Sequence, residues 1–209
     1  MKRLLILGCG GFGYEVASML PAHPDFEKKW RMEGFLDSKK SCGDIPSKYP
    51  ILGNEDSFEF QDNDLLIIAI MNPDTKEKLM NKLLGRVAFY TFIHPSSTVL
   101  DFSSVGEGSV VYPNCTISSN VYIGKFVTMA AGTQIGHDVQ IGDFSSLMPH
   151  TDLGGGVQLG RYVFTGTKAT VVPYKSIADH TRIAAGSVVM RSIRTPGGTY
   201  MGNPAVKFE

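Results

Sequence analysis

From Ile93 onward the chain keeps a six-residue rhythm of aliphatic positions. It runs Ile93, Val99, Val105, Val111, Ile117, Ile123, Met129, Ile135, Ile141, Leu147, Leu153, Leu159, Thr165, Val171, Ile177, Ile183 and Val189. Only Thr165 departs from the aliphatic rule, and no residue is inserted anywhere. Four positions after each aliphatic residue comes a small or β-branched one, such as Ser109, Cys115, Val127, Thr133, Ser145 or Thr181; Lys175 and Ile193 are the misfits. Glycine directly follows the aliphatic position at Gly106, Gly124, Gly136, Gly142, Gly154, Gly160 and Gly166. A short period held in phase over so long a stretch predicts a β-solenoid, in which each rung buries its aliphatic residue against the rungs on either side. A β-sandwich would instead place turn signals at irregular spacings of about 8–12 residues.

The first half carries a different pattern. Leu4–Leu7 is a continuous apolar run, as expected of a strand buried on both faces of a parallel sheet. It leads into Gly8-Cys9-Gly10-Gly11-Phe12-Gly13, and Tyr14–Leu20 then shows helical spacing. Strand, glycine turn and helix together form the nucleotide-binding fingerprint Gly8-x-Gly10-x-x-Gly13. Its glycines bring backbone N–H groups and the helix N-terminus close to an anionic group. The same turn could simply close a tight strand–helix junction. A second strand, Met32–Leu36, ends in Asp37, close to where a ribose-binding carboxylate is expected, about 20 residues on. Leu65–Ile70 reads as a third strand, with Asn72 as N-cap and Pro73 in the first turn of a helix over Asp74–Leu84. Leu79, Leu83 and Leu84 are expected on its packed face, and Val87–Ile93 as a fourth strand leading into the solenoid. Residues 1–92 thus predict a small Rossmann-like βαβ domain, and 93–209 the solenoid with a C-terminal tail. The first domain is too short for a full dinucleotide fold, which favours a mononucleotide-linked ligand such as a nucleotide sugar over NAD.

Composition narrows the partners. Within 209 residues, 20 Lys and Arg balance 20 Asp and Glu, so no net field draws the protein to nucleic acid or an acidic membrane. Cys9, Cys42 and Cys115 have no paired spacing, as expected of reduced thiols in the cytoplasm. The apolar run before Cys9 is too short for a secretion signal, and no stretch reaches the ~18 apolar residues of a membrane span.

The hexapeptide beat resembles that of the hexapeptide-repeat acyltransferases, over roughly the C-terminal half. With the glycine turn, Gly34-Phe35-Leu36-Asp37, Ile51-Leu52-Gly53, Ala69-Ile70, Ile93-His94-Pro95-Ser96 and Gly202-Asn203-Pro204-Ala205 added, the resemblance extends over nearly the whole chain. It is then to the sialic acid O-acetyltransferase and bacillosamine or perosamine N-acetyltransferase group of bacterial sugar acyltransferases. That resemblance implies a left-handed parallel β-helix with three strands per coil, so that residues eighteen apart stack. It also implies acetyl-CoA as acyl donor, no metal, an N-terminal domain holding a nucleotide-linked sugar, and a homotrimer with active sites between subunits. Gly8, Gly10, Gly11, Phe12, Gly13 and Asp37 are the expected acceptor contacts.

Of five histidines, His137 stands out, in Gly136-His137-Asp138. At the third position of its hexapeptide it is expected at a corner, pointing outward and free of packing duties. With an ordinary pKa of about 6.5, such an imidazole suits a general base. Asp138 beside it would fix the tautomer and stabilise the imidazolium, and the resemblance assigns this pair the same role. Eighteen residues on lies Gly154-Gly155-Gly156. Three consecutive glycines each cost roughly 0.5–1 kcal/mol relative to alanine in regular structure, which points to a thioester arm lying against bare backbone. Gly155 N–H is the expected oxyanion donor. By resemblance Thr167 and Ala185 contact the cofactor through their backbones, and Lys168, Lys175, Arg182, Arg191 and Arg194 are candidates for its phosphates.

The chain departs from the group twice: Phe12 stands where a histidine is usual in the glycine turn, and Ser146 where a second histidine is usual near the cofactor. The base is untouched, but the acceptor and the acyl group are left open. O-acetylation of sialic acid or another glycan sugar therefore stays beside N-acylation as an alternative, with a non-enzymatic scaffold as a further one. A β-helical zinc carbonic anhydrase would need three converging histidines, and the order and separation here do not match.

Overall fold

The computed structural model describes residues 1–38 and 48–208; Cys42 lies outside them. The N-terminal unit is one parallel sheet built from β1 (Lys2–Leu7), β2 (Trp30–Leu36), β3 (Ile51–Gly53), β4 (Asp64–Ile68) and β5 (Ala88–Phe89). Helix α1 (Gly11–Met19) follows β1, and α2 (Pro73–Leu83) follows β4. The strand order is β3-β2-β1-β4-β5, so the chain reverses direction across the sheet between β1 and β4. In open parallel sheets that crevice, at the carboxyl ends of the strands, is where ligands bind. Leu4, Leu5 and Ile6 are fully buried, as their unbroken apolar run predicts. Arg3 Nε and its second guanidinium nitrogen reach the two Asp64 oxygens at 2.7 and 2.8 Å, pinning β1 to β4. Burial would raise the Asp64 pKa. The Arg3 bonds and the Gln61 N–H outweigh it and hold the carboxyl below its ordinary range.

Two local expectations change. Leu83 is buried, but Leu84 is 66% exposed, because α2 ends at Leu83 and turns the next side chain outward. The strand expected over Val87–Ile93 is two pieces. Ala88–Phe89 completes the parallel sheet, and Phe92–Ile93 pairs with Val110–Val111 as the first rung of the solenoid.

From there a two-residue strand recurs every six residues, to Val188–Val189. The strands stack into three faces in strict register. Face one runs from Thr98–Val99 to Val188–Val189, face two from Ser104–Val105 to Ser176–Ile177, and face three from Phe92–Ile93 to Arg182–Ile183. Ile117 pairs with Ile135, Ile135 with Leu153, and Leu153 with Val171, all inside the prism. Thr165 occupies an aliphatic site without an orphaned hydroxyl, since Oγ1 lies 2.7 Å from Thr151 Oγ1. The small residues bind the turns of adjacent coils: Ser109 Oγ donates to Gly124 O and accepts from Val127 N. Glycine after the aliphatic position answers to crowding. A Cβ on Gly142 would lie 2.5 Å from the Gly160 carbonyl carbon. The left-handed residue of each turn comes two positions later, for example Asn120, Asp138 or Phe144. A hairpin, Thr199–Gly202 with Ala205–Phe208, closes face three.

The N-terminal unit lies across face three and both of its flanking corners. At the corner between faces three and one, Phe12 stacks on Tyr112 with ring centroids 5.7 Å apart, and Tyr112 Oη donates to Glu15 at 3.0 Å. At the corner between faces two and three, Phe126, Phe144, Tyr162 and His180 form a stacked column. Tyr162 Oη there donates to Glu77 of α2 at 2.6 Å. Between the two corners the ammonium-bearing chain of Lys76 enters the interface and is fully buried. Its Nζ donates to Phe126 O, Thr128 Oγ1 and Ser146 Oγ at 2.8, 3.0 and 3.1 Å.

Candidate active site

His137 occupies the third corner, between faces one and two, opposite the face that the N-terminal unit covers. Its side chain is 58% exposed. Nδ1 lies 2.7 Å from Asp138 Oδ2. A carboxylate accepts only, so Nδ1 carries the proton and Nε2 is left as the acceptor. Asp138 Oδ1 in turn accepts from Asn120 Nδ2 at 2.6 Å. The His137 bond and then the Asn120 bond hold the Asp138 carboxyl below its ordinary pKa. Asn120 and Asp138 both sit at left-handed corner positions, eighteen residues apart, which is why their side chains meet. Asn120 was not anticipated from the sequence, although the coil period points to it.

Gly155 lies directly on the His137 ring. A Cβ there would fall 2.6 Å from Nε2, and Gly156 N donates to His137 O at 2.8 Å. The flanking glycines have other reasons: a Cβ on Gly154 would strike Pro173, and Gly156 has φ +69°. The bare backbone at Gly155 keeps the basic nitrogen open, and its N–H donates to no backbone carbonyl among the described residues.

Thr167 and Ala185 stack on the corner between faces three and one, above Pro149. Lys168 N donates to Pro149 O, and Gly186 N to Thr167 O. They are therefore not beside His137 of the same chain.

The glycine turn sits where β1 meets α1. Gly8 has φ +100°, and a Cβ on Gly13 would fall 2.0 Å from Gly8 O, so α1 can seat on the strand end only without side chains there. Gly10 is the N-cap of α1 and Gly11 its first residue, three positions ahead of the expected start. Asp37 Oδ2 accepts from Cys9 N at 3.0 Å and from Cys9 Sγ at 3.1 Å. Gly8 and Asp37 line a cavity of about 200 Å³ with Thr75 and Glu55. Glu55, missed in the sequence, is buried, and its Oε2 has no hydrogen-bond partner among the described residues. Phe12 belongs to a second, larger cavity between α1 and the corner that carries Tyr112. Ser146 lies beneath α2, donating to Met71 O and accepting from Lys76.

Among the described residues no three His, Cys, Asp or Glu side chains gather as a metal site would require. No helix of the described residues is long and apolar enough to cross a membrane.

A stacked three-faced coil behind a small parallel βαβ sheet matches the fold of the left-handed β-helix acetyltransferases. Residues 3–83 match the PglD N-terminal domain family. The chain is 30% identical over 115 residues to a UDP-N-acetylbacillosamine N-acetyltransferase of Bacillus subtilis. That match takes in 53% of this chain and spans about half of the relative's length, 51%. The acetyltransferase domain of PglB from Neisseria gonorrhoeae superposes over the whole of both chains with a TM-score of 0.91 at 22% identity, a likeness of fold. PerB from Caulobacter crescentus, solved with CoA and GDP-perosamine, superposes with a TM-score of 0.88 at 26% identity, over 100% of this chain and 98% of its own. The chain is thus similar to the PglD N-terminal domain family over residues 3–83, and in its whole fold to sugar N-acetyltransferases such as PerB.

Proposed function

We propose that the protein transfers an acyl group from acyl-CoA, acetyl-CoA in the simplest case, to the amine of a nucleotide-linked amino sugar used in bacterial surface-glycan synthesis. The observation that carries this reading is His137, with Nδ1 committed to Asp138 and Nε2 turned toward bare backbone at Gly155. In the proposed step, His137 Nε2 takes a proton from the acceptor amine as its nitrogen attacks the thioester carbon. The new C–N bond forms, the C–S bond breaks, and the leaving thiolate takes the proton from the imidazolium. Asp138, steadied by Asn120, stabilises that imidazolium, and Gly155 N–H donates to the developing oxyanion. The neighbours solved with CoA and GDP-perosamine support both substrates.

A homotrimer completes the site. Gly8 and Asp37, the expected acceptor contacts, line a cavity of the N-terminal unit over face three, whereas His137 stands on the opposite corner. The His137 corner of one copy set against the Thr167 corner of the next brings base, donor contacts and acceptor domain together. Exposed apolar side chains along the His137 corner, Phe102 (90%) and Tyr174 (72%), support such a contact.

The test is thiol release from acetyl-CoA with a panel of nucleotide-linked 4-amino sugars. Turnover with one acceptor, reduced about 10²-fold or more by His137→Ala, is expected. Turnover indifferent to that substitution removes His137 as base, and transfer only to hydroxyl acceptors replaces the N-acyl reading with an O-acyl one.

A further inference from the structure

The larger cavity has a volume of about 560 Å³ and opens between α1 and the corner joining faces three and one. Its walls are Phe12, Met19, Met71, Tyr112, Ala131 and Met148. Only Glu15 and Ser18 bring polar side chains to it besides Tyr112, whose hydroxyl already donates to Glu15. A sugar ring placed here would leave most of its hydroxyls without partners, and a site rejects a ligand whose polar groups it cannot pair. A hydrocarbon chain makes no such demand, and methionines adapt to its shape.

The cavity also lies in line with the proposed donor path. Ala185, Thr167, Pro149, Ala131 and Pro113 form one column, eighteen residues apart, along a single corner. Thr167 and Ala185 are the proposed cofactor contacts, and the candidate phosphate partners Lys168, Arg182, Arg191 and Arg194 belong to the C-terminal coils. The reactive end of the arm therefore points down the column, toward Pro149 and Ala131. His137 lies in the coil that runs from Ala131 to Pro149, so a thioester level with His137 is level with the mouth of the cavity. Rotation about an axis parallel to the solenoid keeps that level when the histidine comes from a neighbouring copy.

We propose that this cavity receives the acyl chain of the donor, and that the preferred donor is a saturated acyl-CoA of about four to six carbons rather than acetyl-CoA. The inference rests on the acyltransferase reading above. Phe12 is then a wall of the acyl pocket, its ring stacked on Tyr112.

The experiment compares kcat/KM for acetyl-, butyryl- and hexanoyl-CoA with one amino-sugar acceptor, in the unaltered protein, Ala131→Phe and Met148→Ala. One methylene in an apolar pocket is worth roughly tenfold or more, so butyryl- or hexanoyl-CoA is expected to exceed acetyl-CoA by at least about tenfold. Ala131→Phe fills the cavity and returns the preference to acetyl-CoA; Met148→Ala enlarges it and moves the optimum to longer chains. Efficient turnover with acetyl-CoA favoured over both longer donors overturns the inference and leaves the acyltransferase reading intact. An optimum that moves in neither variant, with both folded by circular dichroism, overturns the pocket assignment. Absence of transfer from every donor, together with no binding of CoA by calorimetry, overturns both readings.

Discussion

Lys76 offers the sharpest test of how the two halves are joined. Its amine is fully buried, and burial alone lowers its pKa from 10.5 to about 7. Its three contacts are neutral oxygens: Phe126 O, Thr128 Oγ1 and Ser146 Oγ. The carboxylates of the neighbouring turns of α2 are engaged elsewhere, Glu77 by Tyr162 and Asp74 near His180. At 1.36 kcal/mol per pH unit, the lowered pKa corresponds to roughly 5 kcal/mol opposing the protonated folded state. Below pH 7 both folded and unfolded chains bind the proton, and this cost is fully present. Between pH 7 and 10.5 the folded amine is neutral while the unfolded one still binds a proton, so stability rises with pH. Above pH 10.5 neither binds it and the gain is complete.

Lys76→Met keeps the volume and removes the titration. Urea unfolding at fixed protein concentration should therefore show the unaltered protein gaining about 2–3 kcal/mol on the variant between pH 7 and pH 9. The variant should lose ground most at high pH, where it forfeits the hydrogen bonds of the neutral amine and gains no relief from a buried charge. Parallel pH profiles for the two proteins would refute the reasoning, because they would mean that the amine keeps its proton in the folded state or is hydrated.

Other substitutions address the His137 corner. Gly155→Ala places a methyl group 2.6 Å from His137 Nε2 at a backbone position without positive φ. It should lower kcat about 10²-fold or more while moving the unfolding midpoint little, checked by thiol release beside urea unfolding. Asp138→Asn removes the acceptor that fixes the His137 tautomer and the charge that stabilises the imidazolium. It should lower kcat by about 10²–10⁴ with little change in the KM for acyl-CoA, read by thiol release. Asn120→Ala should produce a weaker loss of kcat of the same kind, by the same assay, since it loosens Asp138 without removing it.

The solenoid was legible almost residue by residue, because its period is local. Each hexapeptide repeats one aliphatic contact, one small inward residue and one turn, so register follows from counting. His137, Asp138 and Gly155 could be placed together because eighteen residues make one coil. The same arithmetic leads to Asn120 only once the left-handed corner is known to aim the side chain at position 138. Lys76 could not be read. In Pro73-Asp74-Thr75-Lys76-Glu77-Lys78 a lysine looks solvated, and its burial depends on Thr128 and Ser146 meeting it from another part of the chain. Glu55 was hidden for the same reason. Leu84 shows the converse error: apolar spacing continued for one residue past the point where the helix ended. The surroundings of Ser146 were hidden too: it points outward from face three, and α2 covers it.

The central claim is that the base of one copy serves an acceptor held by the next. Mixing two inactive variants tests it most directly. His137→Ala lacks the proposed base; Asp37→Ala with Glu55→Ala lacks polar groups of the proposed acceptor cavity. After dissociation and random reassembly of equal amounts, about one interface in four pairs an intact base with an intact acceptor domain. Thiol release with acyl-CoA and the amino-sugar acceptor should recover to about a quarter of the unaltered rate. No recovery from a mixture shown to exchange subunits would contradict the account and place the whole site within a single chain.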